Sequence, residues 1–143
     1  MEGLTPDERQ SIMTLWAIEA SPLILGTDLT KLDPFDVTMM TNDEVVAVDQ
    51  AGHPAVPLSQ ATPQQVWYAD NGDGTTTVAL FNLGTVAADV TASWQALGLS
   101  PWSLVRDLWS HRSVGLRYGG FTATVPAHGS RLLRVRTYGV PGR

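Results

Sequence analysis

The feature that most limits what this chain can become is a change of hydrophobic period near residue 64. Before it, apolar residues recur at helical spacing or in short unbroken runs. After it they alternate, and turn-forming residues interrupt them about every ten positions. Gln65-Val66-Trp67-Tyr68-Ala69 leads into Asn71-Gly72-Asp73-Gly74, and Thr75 to Asn82 runs back, which predicts a hairpin with residues that tolerate a left-handed backbone at its turn. Further strands are predicted over Ala87–Ser93, Leu104–Leu108 and Val114–Arg117, with a single helical turn over Trp94–Leu97. Phe121–Val125 and Ser130–Val135 are expected to pair with each other across Pro126-Ala127-His128-Gly129. Short strands without intervening helices argue for a sandwich or barrel, and the expected fold class is mainly β: an antiparallel β-sandwich of about seven or eight strands over residues 64–137.

The first fifty residues follow another rule. Thr5 is a natural N-cap, Pro6 suits the first helical position, and Glu8 completes a capping box, so a helix is expected to run from here to the Ser21-Pro22 stop. Pro22-Leu23-Ile24-Leu25-Gly26 reads as a strand covered on both faces, Asp33-Pro34 opens a second helix through Met40, and Asn42 reads as its stop. Glu44-Val45-Val46-Ala47-Val48-Asp49 then reads as a second buried strand. Helix, strand, helix, strand is the order of a β/α barrel or a doubly wound sheet, so residues 1–50 are read as a remnant of two β/α barrel units. Residues 51–63, with Gly52, Pro54, Pro57 and Pro63, read as a linker, and 138–143 as a frayed tail. Two barrel strands without neighbours would expose edges and apolar faces. The region is therefore expected to dock onto the sandwich, to pair with another copy, or to be poorly ordered.

A chain of 143 residues can bury one good core with a small appendage. Its net charge of −5 gives no electrostatic reason to bind nucleic acid or an anionic membrane, and the arginines of Arg131-Leu132-Leu133-Arg134-Val135-Arg136 read as the solvated side of a strand. No apolar run approaches the roughly 18 residues of a membrane span, and Met1-Glu2-Gly3 lacks the basic start of a signal peptide. Cysteine is absent, which rules out disulfides and thiolate metal sites and leaves the compartment open.

Asp70, Asn71 and Asp73 beside two glycines invite a calcium reading, but their spacing misses the EF-hand loop and turn chemistry explains every residue. Asp28 and Asp49 follow the two expected buried strands, where a barrel would place catalytic groups, although loop capping accounts for both. His53, His111 and His128 lie on separate loops with no zinc spacing. Of the five tryptophans, Trp16, Trp67, Trp94, Trp102 and Trp109, those on the β-segment could stack on sugar rings, while Trp67 and Trp109 stand in apolar patterns that favour packing.

Leu15-Trp16-Ala17 with Ser21 to Leu29, then Leu32-Asp33-Pro34 and Thr41 to Gln50, resembles the last barrel units of glycoside hydrolase family 27, the α-galactosidases and α-N-acetylgalactosaminidases. Val78 to Asn82, Val105 to Trp109 and Phe121 to Gly129 resemble that family's C-terminal antiparallel domain. Asp49 and Ala51 stand where the family's Asn-Gln-Asp would place Asn and the final Asp. The resemblance implies a retaining glycosidase whose two catalytic aspartates lie upstream of the segment that aligns with Met1-Glu2-Gly3-Leu4. No catalytic residue, metal ligand or cofactor is assigned on this chain, and its substrate-binding residues stay unknown. The expected partners are the rest of the catalytic barrel, a galactoside-type carbohydrate, or a second copy through exposed barrel strands. The alternative is a non-catalytic module, binding carbohydrate or serving structure.

Overall fold

The computed structural model describes residues 4–19, 34–58 and 60–137. The expected strand at 22–26, its Ser21-Pro22 boundary, Asp28 and the tail at 138–143 lie outside them.

Helix α1 spans Pro6–Ile18 and starts as its sequence predicts. Thr5 Oγ1 accepts from the Glu8 amide at 3.1 Å, and Glu8 Oε1 accepts from the Thr5 amide at 2.9 Å, so two N-terminal donors are satisfied reciprocally. Helix α2 spans Pro34–Met40.

The next element overturns an expectation. Residues 44–49 are not a strand; they lie in a third helix, α3, from Asp43 to Ala51. Asn42, read as the end of α2, is instead the N-cap of α3, where Asn42 Oδ1 accepts from the amides of Glu44 and Val45 at 3.1 Å each. Acidic residues follow in the first turn, Val45 and Val48 share the buried face, and Gly52 closes the helix at φ 72°, a left-handed conformation that costs a glycine little. A short β-branched run reads the same in a buried strand and a buried helix. The caps on either side decide it. The described part of residues 1–50 therefore holds helices and no strand.

The linker contributes a short strand, β1 (Val56–Pro57), pairing with β2 (Gln64–Asp70). After β2 come β3 (Thr75–Asn82), β4 (Ala88–Ser93), β5 (Trp102–Asp107), β6 (Arg112–Tyr118), β7 (Gly120–Val125) and β8 (Ser130–Thr137). They form a six-stranded sheet in the order β1-β2-β3-β8-β5-β6 and a two-stranded sheet β4-β7, with every pairing antiparallel.

The expected pairing of the last two strands also fails. β7 pairs with β4, whereas β8 runs between β3 and β5 in the other sheet. The turn at residues 126–129, with His128 at φ 58°, crosses from one sheet to the other. Turn chemistry says where the chain reverses but not which sheet it joins; that follows from Ala123 and Val125 burying against the inner face of the larger sheet. Gly120 makes the β4–β7 approach tight, because a Cβ there would sit 2.4 Å from the Ala92 carbonyl oxygen.

Strand β3 is buried along its whole length, which exposes the logic of the molecule. Val78 and Leu80 pack with Leu133, Val135, Val105, Val90 and Trp94 between the two sheets. Ala79 and Phe81 point the other way and pack with Leu132, Leu108, Ala17, Ile18, Val45 and Val48 under the helices. The architecture is thus three layers: helices, large sheet, small sheet. Of the three outcomes expected for the first fifty residues, docking onto the sandwich is the one the described helices adopt.

Candidate functional site

The hairpin loop that invited a calcium reading holds itself together. Asp70 Oδ1 accepts from the Gly72 amide at 2.8 Å, and Asp73 Oδ1 accepts from the Thr75 amide at 3.0 Å and from its hydroxyl at 2.5 Å. Asn71 Nδ2 donates to the hydroxyls of Thr75 and Thr77. The Thr75 hydrogen bonds, with help from Arg136, hold the Asp73 carboxyl below its ordinary range. These acceptors are committed to the turn.

Asp49 lies on helix α3 and not at a strand end, so the barrel geometry that made it a catalytic candidate is absent. One of its carboxylate oxygens is buried with no hydrogen-bond partner among the described residues, and burial pushes its carboxyl up. His53 follows Gly52, and His128 stands in the β7–β8 turn with Nδ1 3.4 Å from Glu8 Oε2. His111, at φ 57°, occupies the β5–β6 turn.

The strongest electrostatic grouping is one that no spacing in the sequence reveals. Glu44, in the first turn of α3, receives Arg106 Nε at 2.7 Å and Arg106 Nη2 at 2.9 Å, a two-point contact from β5. The second Glu44 oxygen is also hydrogen-bonded to His111 Nδ1. The Arg106 contact leads, His111 adds to it, and together they outweigh burial and hold the Glu44 carboxyl down at about 2. Asp43 completes a group whose potential ligand atoms with Glu44 and His111 lie within 4.8 Å of one another. A cation there would have to compete with the guanidinium that already engages both Glu44 oxygens. The group works as a clamp between α3 and the sandwich.

Asn42 extends this seam by donating from Nδ2 to the carbonyls of Leu108 at 3.1 Å and Trp109 at 3.3 Å. Asp107 caps the β5–β6 turn through the amides of Trp109 and Ser110 and takes Arg131 at 3.4 Å. Under α1, the buried Thr14 hydroxyl receives Trp109 Nε1 at 2.9 Å and meets the Ser130 hydroxyl at 3.0 Å. Helices and sandwich are thus joined by polar contacts as well as by the apolar layer.

The tryptophans divide. Trp94 is fully buried, with Nε1 donating to the Arg117 carbonyl, and Trp67 and Trp109 are partly buried against the helical layer. Trp16 is half-buried on α1. Trp102 is half exposed beside Tyr118. Trp67 and Trp109 pack as their apolar patterns implied, and Trp94 also packs, though no such pattern marked it. Trp102 and Tyr118 meet only because β5 and β6 place them opposite each other.

Among known proteins, residues 61–135 match the family described as the alpha galactosidase C-terminal beta sandwich domain, and residues 2–51 match that of alpha galactosidase A. The chain is similar to an alpha-galactosidase of Coffea arabica, 32% identical over 134 residues covering 91% of this chain and 35% of that protein. Among solved structures it is similar to alpha-galactosidase I from Mortierella vinacea, with a TM-score of 0.89, 33% identity, and coverage of 96% of this chain and 38% of that one. A GH27 β-L-arabinopyranosidase from Geobacillus stearothermophilus superposes with a TM-score of 0.90 at 31% identity, covering 100% of this chain and 32% of that one. The chain spans about a third of the length of the curated relatives it matches. With more than half of its residues inside the sandwich match, the chain belongs to the alpha-galactosidase family and corresponds to its C-terminal β-sandwich with the helical segment before it.

Proposed function

We propose that this chain serves as the closing third of a retaining, α-galactosidase-like glycoside hydrolase and hydrolyses no glycoside by itself. The observation that carries this is the state of its carboxylates. A retaining glycosidase needs two carboxyl groups about 5 Å apart across an open cleft, one as nucleophile and one as acid. Here Glu44 is held by Arg106 and His111, Asp107 by turn amides and Arg131, and Asp73 by Thr75. Each serves structure. The helices support the reading from the other side, because Phe35 and Val37 of α2 and Val56 and Leu58 after α3 remain exposed, as surfaces that the rest of a barrel would cover.

Two assays test it together. The purified chain is expected to release no aryl alcohol from an aryl α-galactoside or an aryl β-arabinopyranoside above the uncatalysed background. A chimera in which this chain replaces the matching third of the Mortierella vinacea enzyme is expected to fold and turn the α-galactoside over. Turnover by the chain alone, or a folded chimera without turnover, would overturn the proposal.

A further inference from the structure

Beyond the helical layer, the β5–β6 end of the large sheet keeps two aromatic rings in the open. Trp102 and Tyr118 are directly opposed in the ladder, with centroids 5.0 Å apart and planes at 65°, yet they stay 50% and 67% exposed. The edge-to-face contact holds each ring against the other, so neither is a loose surface side chain. Tyr118 also forms part of the wall of a cleft of about 510 Å³, within the range of small-molecule sites, together with Ser93, Trp94, Gln95, Leu99 and Pro101. Its frame is fixed: Trp94 Nε1 donates to the Arg117 carbonyl at 3.2 Å, the Leu99 amide to the Trp94 carbonyl at 2.8 Å, and the Gly119 amide to the Pro101 carbonyl at 2.7 Å.

The chemistry of this corner selects a ligand class. Among the described residues no charged side chain lines the cleft, so they offer no counter-charge to an acidic or basic ligand. The Gln95 side-chain amide and the Tyr118 hydroxyl make no hydrogen bond to any described residue and remain available as donors and acceptors. A pyranose ring carries weakly positive C–H groups on one face, which suit the negative face of an indole or phenol, and hydroxyls around its edge, which suit an amide and a phenol. Two rings and a cleft of this size are far smaller than a stable protein–protein interface. We infer that the Trp102–Tyr118 corner binds a neutral pyranose unit of an oligo- or polysaccharide, stacked on the aromatic pair and hydrogen-bonded by Gln95. The site does not depend on the chain completing a hydrolase.

Native gel electrophoresis of the whole chain through galactomannan, arabinogalactan and xyloglucan tests this. At least one of the three is expected to retard the chain, Trp102→Ala to weaken that binding at least tenfold, Tyr118→Ala and Gln95→Ala to weaken it several-fold, and Trp102→Phe to keep most of it. Circular dichroism establishes that each variant is folded. Should Trp102→Ala fail to fold, the Tyr118 and Gln95 variants carry the test. Absence of retardation in all three polysaccharides would overturn the inference, and so would folded variants retarded as strongly as the parent chain.

Discussion

The helical layer and the sandwich bury apolar surface in different ways. The space between the two sheets is filled mainly by strand residues, with Val78, Leu80, Val105, Leu133 and Val135 facing Val90, Ala92, Ala123 and Val125, joined by Trp94 and Leu97 from the turn after β4. Among the described residues the helices have no such closed core. Ala17, Ile18, Val45 and Val48 pack onto Ala79, Phe81, Leu108 and Leu132 of the sheet, while Phe35 and Val37 of α2 stay exposed. The sandwich is thus a domain with its own interior, and the helices are a cover that borrows one. Yet the dependence runs both ways, because without the helices the outer face of the large sheet would present Phe81, Leu108 and Leu132 to water.

The largest effect should come from the interior of the sandwich. Leu133 is fully buried between the sheets, and Leu133→Ala is expected to cost about 2–5 kcal/mol through lost burial and an unfilled cavity. Urea unfolding followed by far-ultraviolet circular dichroism and by tryptophan fluorescence should show one earlier transition in both signals. Loss of the sandwich signal with the helices intact would break the proposed dependence.

A smaller effect should separate the two regions. Asn42 caps α3 and also donates to two sandwich carbonyls, so Asn42→Ala removes a cap and leaves buried groups unpaired, at about 2 kcal/mol. The helical signal at 222 nm should then melt before tryptophan fluorescence reports loss of the sheets. Coincident melting at the parent temperature would mean that the seam contributes little.

The smallest effect should be the pH dependence of the clamp. The Glu44 carboxyl lies at about 2 in the folded chain against an ordinary value of 4.5. Its folded value is depressed, so its stabilisation is fully present above about pH 4.5 and is lost as the pH falls toward 2. Arg106 is partly exposed, which keeps the effect modest and sensitive to salt. Thermal melts of the parent chain and of Glu44→Gln between pH 6 and pH 2 should converge at the acidic end. Parallel curves over that window would show that the pair does not act on stability.

Local chemistry was readable from the sequence wherever neighbours in the chain decide the outcome. The capping box of Thr5 and Glu8 and the hairpin around Asn71-Gly72-Asp73-Gly74 are both settled within a few residues. Alternation placed the strands of the sandwich for the same reason, since each half-buried strand shows one face to the core and one outward. Resemblance to the α-galactosidases was readable too, because it rests on order and spacing.

Long-range geometry was not readable. Glu44 meets Arg106 across 62 residues and His111 across 67, and no spacing rule links them. Trp102 and Tyr118 become a pair only through strand register. The run from Glu44 to Asp49 could satisfy its apolar residues in a strand or in a helix; the caps at Asn42 and Gly52 settle the helix, but the sheet surface that receives Val45 and Val48 exists only once the sandwich is assembled. In the same way, the turn at 126–129 is local, but the sheet that β8 enters depends on which inner faces must be covered. The sequence by itself determined turns, the cap of α1, strand period and family. Only the tertiary structure decided which face each apolar run would bury against, because burial is a property of neighbours that the chain brings together from far apart.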